Sequence, residues 1–283
     1  MEMIKLNNGY QVPQLGLGTF QVTDYDTCKQ SVLDALKAGC RLIDTAACYG
    51  NEKAVGDAIK ESKIDRHEIV ISSKVWIQDA TYQKTIDSFN KTLENLQTDY
   101  LDLYFIHMPY GDYHGSYRAM EKLYHEGKIK ALGVSNFLAD RLVDLILSHE
   151  VIPAINQMEL HPFCQRKKLR EVMKKYGIQM MAWSPFAQGS KGIFTNEQLM
   201  TIGAKYQKTP AQVILRWLRQ NEIIAIFKSV HQERIIENFA IDDFVLSDED
   251  LQIINQMDEK KPLILDIQAL NEVYRLHGIK FKQ

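Results

Sequence analysis

The sequence has 283 residues, of which 45% are hydrophobic and 25% are charged, and this composition excludes disordered and collagen-like chains. The 34 lysines and arginines nearly balance the 36 aspartates and glutamates, which gives a formal net charge of −2. This balance argues against nucleic acid as the main partner.

Short apolar stretches alternate with amphipathic helical segments from one end of the chain to the other. Eight β-strands are predicted, in chain order: Leu15–Leu17, Arg41–Asp44, Ile69–Ser73, Leu101–Ile106, Lys128–Val134, Ala154–Asn156, Ile178–Trp183 and Ile223–Ile226. Three of the intervening helices are predicted to end at Gly39, Gly127 and Gly177, because glycine adopts the left-handed conformation that terminates a helix. Between the third and fourth strands, helical spacing predicts one apolar face, formed by Tyr82, Ile86, Phe89, Leu93 and Leu96.

Eight strand and helix units without a break in composition predict a single (β/α)8 TIM barrel over residues 1–283. The stretch from Ile4 to Val12 lies outside these eight units and is predicted to form a β-hairpin that closes the bottom of the barrel. The segment from about 260 to 283 is expected to form a loop and helix over the barrel. A doubly wound sheet is the alternative, but Gly16-Leu-Gly18 supplies two of the three glycines of its nucleotide-binding fingerprint.

No targeting or membrane-spanning pattern is found. The N-terminal residues turn polar within a few positions, unlike a signal peptide, and no stretch reaches about 18 consecutive apolar residues. The four cysteines, Cys28, Cys40, Cys48 and Cys164, form no C-x-x-C pair. These features predict a cytoplasmic protein with reduced structural thiols.

In a barrel, the residues that act on a substrate lie at the C-terminal ends of the strands. Asp44 and Tyr49 follow the predicted second strand, Lys74 and Trp76 the third, and His107 the fourth. The later strands end in polar pairs: Ser135-Asn136, Asn156-Gln157, Trp183-Ser184 and Lys228-Ser229. We expect this edge of the barrel to carry the functional site.

The acid, phenol, ammonium and imidazole at the first strand ends indicate proton donation to a carbonyl oxygen. We expect Lys74 to lower the pKa of the Tyr49 phenol from about 10 and Asp44 to hold the lysine in place. A neutral His107 is expected to donate a hydrogen bond to the same oxygen. Other interpretations stay open: Asp44 as a cap of the following turn, His107 as a core residue, and Lys74 as the Schiff-base lysine of an aldolase.

A phosphate site is predicted after the last strand. Lys228, Ser229 and Arg234 surround the predicted start of a helix, where free backbone N–H groups favour an anion. A solvent-exposed basic helix end is the alternative. The motifs of serine hydrolases, zinc proteases and P-loop enzymes are missing from the sequence, and no metal is expected.

With these residues in view, the sequence resembles three signatures of the aldo-keto reductase family, in chain order: Asp44-Thr-Ala-x-x-Tyr49-Gly-Asn-Glu, Gly133-Val-Ser-Asn136-Phe with Pro153-Ala-Ile-Asn-Gln157-x-Glu-x-His161-Pro, and Lys228-Ser229 through Arg234-Ile-x-Glu-Asn238. The resemblance runs from Gly16 to about Met257. It implies a TIM barrel that reduces carbonyl compounds with NADPH. Within the family, the chain is most similar to the short microbial branch of glyoxal and 2,5-diketo-gluconate reductases.

The resemblance also implies roles for individual residues. Tyr49 is implied as the general acid, Asp44 and Lys74 as the pair that tunes it, and His107 as the group that orients the carbonyl. Trp183 stands where an aromatic residue stacks on the nicotinamide. The implied cofactor contacts are Gly18, Thr19, Ser135, Asn136, Gln157, Trp183, Ser184, Phe186, Gln188, Lys228, Ser229, Val230, Arg234, Glu237 and Asn238.

The expected substrate pocket is mostly apolar, which suits a small aldehyde, dicarbonyl or keto sugar. Its expected lining residues are Phe20, Trp76, His107, Met108 and Tyr110. Met108 stands where the family commonly has tryptophan, and Phe227 where it commonly has proline. The segment after Lys261-Pro262 lacks the usual closing pattern of the family.

A second functional hypothesis is a non-catalytic NADPH-binding sensor, because a fold does not fix a function. The complete set of Asp44, Tyr49, Lys74 and His107 argues against it, since a sensor does not need the acid. The expected partner is a small carbonyl substrate, without nucleic acid or membrane. A monomer is expected from the family resemblance.

Overall fold

The computed structural model describes residues 2–281. It contains ten strands: β1 (Met3–Lys5), β2 (Gln11–Pro13), β3 (Leu15–Gly18), β4 (Leu42–Asp44), β5 (Val70–Val75), β6 (Leu101–Ile106), β7 (Ile129–Ser135), β8 (Ile155–Glu159), β9 (Gln179–Trp183) and β10 (Ile224–Phe227). Strands β3 to β10 pair in parallel and close into a barrel, in which β10 lies between β9 and β3. The predicted barrel and its eight strands are confirmed.

Helices surround this barrel. In chain order they are α1 (Tyr25–Lys37), α2 (Glu52–Ser62), α3 (Tyr82–Leu96), α4 (Tyr113–His125), α5 (Ala139–Ser148), α6 (Lys167–Lys175), α7 (Glu197–Tyr206), α8 (Pro210–Gln220), α9 (Gln232–Phe239), α10 (Asp248–Gln256) and α11 (Leu270–Gly278). Within residues 2–281, no helix is long and apolar enough to cross a membrane.

Local sequence signals set the ends of several helices. The Asp24 carboxylate accepts a hydrogen bond of 2.9 Å from the Thr27 backbone N–H at the start of α1. Such a cap stabilises a helix by about 1 kcal/mol. The three predicted terminating glycines have φ angles of 93° at Gly39, 76° at Gly127 and 66° at Gly177. Their left-handed conformation confirms the predicted helix ends.

The predicted apolar face of α3 is confirmed at Phe89 and Leu96, which are buried, and at Leu93, which packs against the core, but not at Tyr82. Tyr82 is 40% exposed, whereas Thr85 and Thr92 are fully buried. The Thr85 hydroxyl donates to Ser116 Oγ at 2.8 Å, and the Thr92 hydroxyl donates to Glu52 Oε1 at 2.9 Å. Helix α3 packs against its neighbours partly through these hydrogen bonds, which a pattern of apolar residues does not reveal.

The N-terminal hairpin β1–β2 is antiparallel and lies at the N-terminal end of the barrel strands. Its Leu6 and Val12 side chains pack in one cluster with barrel residues that include Leu42 and Ile224, the first residues of their strands. This contact confirms the hairpin that was predicted to close the bottom of the barrel.

The glycines that resembled a nucleotide fingerprint have a packing role in the barrel. A Cβ atom added to Gly16 would lie 2.6 Å from Leu42 Cγ, and one added to Gly18 would lie 2.8 Å from Ile226 Cγ2. Strand β3 therefore requires glycine for its close approach to its neighbours.

Candidate active site

A cavity of about 820 Å³ opens at the C-terminal ends of the barrel strands. It is lined by sixteen of the residues predicted from the sequence: Gly18, Phe20, Asp44, Tyr49, Trp76, His107, Met108, Ser135, Asn136, Gln157, Trp183, Ser184, Phe186, Gln188, Lys228 and Arg234. Seven predicted residues do not line it: Thr19, Lys74, Tyr110, Ser229, Val230, Glu237 and Asn238. Most of the predicted site is therefore brought together in one place.

We call Asp44, Tyr49, Lys74 and His107 the reaction end of the cavity. The Lys74 ammonium lies 2.7 Å from Asp44 Oδ2 and 2.7 Å from the carbonyl oxygen of Thr45. Lys74 is 1% exposed, and Asp44 is 5% exposed. Both charges are thus buried and satisfied by each other.

The second oxygen of Asp44 is also fully engaged. Its Oδ1 atom accepts a hydrogen bond from Ser72 Oγ at 2.5 Å and one from Gln157 Nε2 at 3.1 Å. The Asp44 carboxylate therefore bonds three side chains from two other strands, β5 and β8, rather than the backbone of the following turn, so the turn-cap interpretation does not apply. Ser72 is a partner that the sequence analysis missed.

Tyr49 lies in a short 3-10 turn, Ala47–Tyr49, after β4. The Lys74 ammonium is 5.2 Å from the centre of its ring. Burial, followed by the charge of Asp44, raises the pKa of Tyr49 well above its ordinary value. This direction is opposite to the expected one because burial of the phenol, reinforced by the charge of Asp44, determines it. The phenol therefore holds its proton at neutral pH.

The His107 imidazole packs edge-on against two aromatic rings, with centroids 5.6 Å from Tyr49 and 4.9 Å from Trp76. Burial and the charge of Lys74 lower the pKa of His107 well below its ordinary value, so the ring is neutral at physiological pH. Its Nδ1 atom lies 3.5 Å from Cys48 Sγ. Cys48 was expected to be a purely structural thiol, but it lines the cavity and contacts the imidazole.

The middle of the cavity is a network of amide and indole groups. Trp183 Nε1 donates to Asn136 Oδ1 at 3.0 Å, and Asn136 Nδ2 donates to the carbonyl oxygen of His107 at 3.0 Å. Ser135 Oγ donates to the carbonyl oxygen of Gln157 at 3.0 Å. Asn136 has a φ angle of 65°, a left-handed conformation that asparagine tolerates better than most residues. The network fixes these polar groups in the cavity wall before any ligand binds.

We call Lys228 and Arg234 the cationic end of the cavity. Both side chains are exposed, line the cavity and have no ion-pair partner among residues 2–281. The one carboxylate among the lining residues is Asp44, which already pairs with Lys74. Two unpaired cations beside the start of α9 fit the phosphate groups of a nucleotide.

Other residues predicted at this end have structural contacts instead. Ser229 Oγ accepts a hydrogen bond from the His231 backbone N–H at 3.2 Å. Glu237 Oε1 accepts one from the Thr209 hydroxyl at 2.7 Å. Asn238 is buried, and Val230 packs against the core. Thr19 is buried at the other end of the cavity, and its backbone N–H donates to the Asp44 carbonyl oxygen.

The segment after α10 supplies one wall of the cavity. Leu265 and Leu276 pack in one cluster with Trp76 and Met108. Tyr110, predicted as a substrate residue, instead donates its hydroxyl hydrogen to the backbone carbonyl of Ile267, which explains its position outside the cavity lining.

Eleven further lining residues were not predicted from the sequence: Gln21, Cys48, Pro185, Gly189, Phe194, Ile226, Ile264, Leu265, Arg275, Leu276 and Ile279. Five of these belong to a segment for which the sequence offered no motif.

Known proteins resemble this chain in sequence and in structure. A glyoxal reductase of Bacillus subtilis is 48% identical over 259 residues, which cover 91% of this chain and 93% of that protein. A 9,11-endoperoxide prostaglandin H2 reductase of Trypanosoma cruzi is 42% identical over 260 residues, covering 91% of this chain and 92% of the relative.

Among solved structures, an aldo-keto reductase from a deep-sea metagenome library superposes with a TM-score of 0.92 at 41% identity, covering 94% of this chain and 99% of that one. A Bombyx mori aldo-keto reductase crystallised with NADP has a TM-score of 0.88 at 31% identity, covering 93% and 94% of the two chains. The presence of NADP in that crystal agrees with the cofactor expected from the sequence. The profile of the Aldo/keto reductase family matches residues 14–259. Together with the barrel and its cavity, these matches show that the chain belongs to the aldo/keto reductase family.

Proposed function

We propose that the protein reduces small carbonyl compounds to alcohols with NADPH, and that Tyr49 is the general acid. One observation carries this proposal: a phenol and an imidazole face one cavity beside a buried ion pair. A general acid must hold its proton until the oxygen it protonates becomes negative. The raised pKa of Tyr49 meets that requirement.

NADPH, when bound, supplies the hydride that reduces the carbonyl carbon. The cationic end of the cavity would hold its phosphate groups, with Arg234 and Lys228 as the binding side chains. Asn136, Gln157 and Trp183 would hold its nicotinamide end, where the network of hydrogen bonds keeps the amide groups fixed.

At the reaction end, Tyr49 gives its proton to the carbonyl oxygen, so that the product is an alcohol and the phenol is left as a phenolate. The Lys74 ammonium, 5.2 Å from the ring centre, stabilises that negative charge. Asp44 holds the Lys74 side chain in place at 2.7 Å. Neutral His107 orients the carbonyl by donating a hydrogen bond to its oxygen.

The aldolase interpretation of Lys74 has no support in this arrangement. A Schiff base requires a neutral amine that the substrate can reach. Lys74 is 1% exposed, pairs with a carboxylate and does not line the cavity. The similarity to a glyoxal reductase makes glyoxal and methylglyoxal the first substrates to test.

The test compares NADPH consumption by the wild type and by Tyr49→Phe, with glyoxal, methylglyoxal and a panel of small aldehydes. We expect kcat/KM to fall by about 100- to 10,000-fold in the variant, because general acid catalysis typically contributes that much. NADPH binding, measured by fluorescence titration, should be unchanged. A wild type that binds NADPH tightly but reduces nothing on the panel would favour the sensor hypothesis instead.

A further inference from the structure

Two of the fully buried titratable residues that the proposed mechanism does not use lie next to each other. Glu159 is the last residue of β8, His161 follows two positions later, and both are 0% exposed. The His161 Nε2 atom lies 3.1 Å from Glu159 Oε1. Neither residue lines the cavity. Burying a carboxylate is costly unless hydrogen bonds compensate it, so its partners indicate its purpose.

Those partners are consecutive backbone amides of the segment that follows α10, residues 258–281, which we call the tail. The N–H groups of Leu263 and Ile264 donate to Glu159 Oε1 at 2.5 and 3.1 Å, and that of Leu265 donates to Oε2 at 3.0 Å. Burial alone would raise the pKa of Glu159, but the hydrogen bonds from His161 and the three amides outweigh it and lower the pKa. The carboxylate is therefore ionised, and charged acceptors make stronger hydrogen bonds than neutral ones.

The amides that Glu159 binds belong to residues that form a wall of the cavity. Ile264 and Leu265 both line it. Leu265 packs against Trp76 and Met108, and Trp76 in turn contacts the His107 ring. The position of the tail backbone at residues 263–265 thus decides how close this wall comes to the reaction end.

We propose that Glu159 is a positioning residue that sets substrate specificity: together with His161 it fixes the tail backbone and thereby places Ile264 and Leu265 against the part of the substrate that does not react. This inference rests on the proposed function, because it concerns the substrate side of the same cavity. Glu159 itself touches neither the substrate nor the reacting atoms.

The first test uses the full-length protein without cofactor and measures hydrogen exchange by mass spectrometry. In Glu159→Gln, the amide group offers one acceptor oxygen in place of two and adds donors that face the tail N–H groups. We expect peptides covering residues 263–265 to exchange about ten- to a hundredfold faster, with the barrel strands unchanged. Unchanged exchange in the tail, or equal acceleration in the barrel, overturns the proposal.

The second test measures steady-state kinetics on the same aldehyde panel. We expect Glu159→Gln to raise KM about tenfold for the larger aldehydes, with kcat lowered less than about threefold and the NADPH dissociation constant unchanged. Leu265→Ala should raise KM in a similar way. Because both changes act through the same wall, the double variant should be no worse than the poorer single variant. Effects on KM that multiply in the double variant contradict the proposal.

A matched control exists on the outside of the barrel. The Glu121 carboxylate also pairs with a histidine, His149, at 3.0 Å, and accepts the backbone N–H groups of Glu150 and Val151 at 3.0 Å each. Glu121→Gln should accelerate exchange near residues 150–151 and leave KM unchanged. A rise in KM equal to that of Glu159→Gln would show that KM responds to the loss of any such carboxylate, wherever it lies. That result would overturn the specific role of Glu159.

If Glu159→Gln does not fold, Leu263→Pro removes one N–H donor from the tail and leaves every barrel residue in place. It should raise KM in the same selective way, and an unchanged KM across the panel overturns the proposal. A wild type that reduces no carbonyl compound would refute the proposed function, whereas the exchange experiment would still show whether Glu159 fixes the tail.

Discussion

At the reaction end of the cavity the charged side chains of Asp44 and Lys74 are buried and paired with each other, whereas at the cationic end the charged side chains are exposed and unpaired. Asp44 accepts hydrogen bonds from Lys74, Ser72 and Gln157 in a buried setting. Lys228 and Arg234 have no ion-pair partner in the part of the chain that the structure describes.

The reaction end is therefore complete before a ligand binds, whereas the cationic end is not. Groups held rigidly in a buried site stabilise charge that develops during a reaction without further reorganisation. Exposed cations gain their partners when an anionic ligand arrives, so they contribute to affinity rather than to the chemical step. Substitutions at the reaction end should therefore reduce stability and turnover together, whereas substitutions at the cationic end should affect cofactor affinity alone.

The largest effect is expected for Lys74→Met, which leaves the buried Asp44 carboxylate without its counter-ion. The free energy of unfolding should fall by about 3 to 5 kcal/mol, because an uncompensated buried charge is strongly destabilising. Turnover should be lost as well. Chemical denaturation of the wild type and the variant measures the first effect.

A double variant and an exposed ion pair serve as controls for this prediction. Asp44→Asn combined with Lys74→Met should recover most of the stability but none of the activity, since the buried charge is gone but so is the cation. Lys53→Met breaks the exposed Lys53–Asp57 pair, which at 2.6 Å is about as short as the 2.7 Å Lys74–Asp44 pair, and should cost less than about 1 kcal/mol. Equal losses at the two pairs would contradict the role assigned to burial.

Arg234→Ala should have the next largest effect. Losing charge-assisted contacts to phosphate, worth about 1.5 to 3 kcal/mol, should weaken NADPH binding roughly ten- to a hundredfold and leave kcat unchanged. Fluorescence titration with NADPH and NADH measures the selectivity. The exposed Arg118 on α4 provides a control for the loss of one positive charge. If affinity for both cofactors fell equally, Arg234 would not recognise the additional phosphate of NADPH.

The smallest effect concerns pH. The unfolded chain binds a proton at His107 near pH 6.5, whereas the folded protein keeps the ring neutral because its pKa lies well below that value. The unfolded state therefore binds more protons than the folded state below about pH 6.5. His107 contributes to the free energy of unfolding above that pH, and this contribution is lost as the pH falls. The loss is at most about 1.4 kcal/mol per pH unit.

Chemical denaturation at pH 6.5 and at pH 5.5 tests whether the free energy of unfolding falls as the pH falls. His107→Gln should flatten the pH dependence of stability, whereas His125→Gln, at an exposed position, should leave it as in the wild type. A steeper dependence in His107→Gln would show that the folded imidazole is protonated.

Much of the fold and of the reaction end follows from the sequence because both depend on local patterns. Strand periodicity, terminal glycines and the residues directly after each strand place Asp44, Lys74 and His107 at one edge of the barrel. The expected direction of the Tyr49 pKa was wrong because the sequence places Lys74 near the phenol but does not show how strongly burial acts on the phenol. The burial of Thr92 on α3 was not predicted because its hydroxyl group packs through a hydrogen bond, which a pattern of apolar residues does not reveal.

How the tail is held against the barrel could not be predicted for a different reason. Its place in the structure depends on backbone N–H groups that bind Glu159, and every residue except proline carries such a group. No side-chain pattern in residues 263–265 therefore marks the contact. The family signature around Glu159 predicted a cofactor contact at Gln157, whereas the buried carboxylate two positions later binds the tail.

The contacts that hold the tail also bear on the order in which the protein folds. They join residues 104 to 106 positions apart at Glu159, 157 apart at Tyr110 and 203 apart at Trp76. Each barrel-side partner lies at the end of a strand or just beyond it and reaches its place when the strands close. Contacts between such distant residues carry a large entropic cost until the intervening chain is ordered. The tail is thus expected to dock after the barrel has formed, so that a refolding molecule regains its native strands before it can select a substrate.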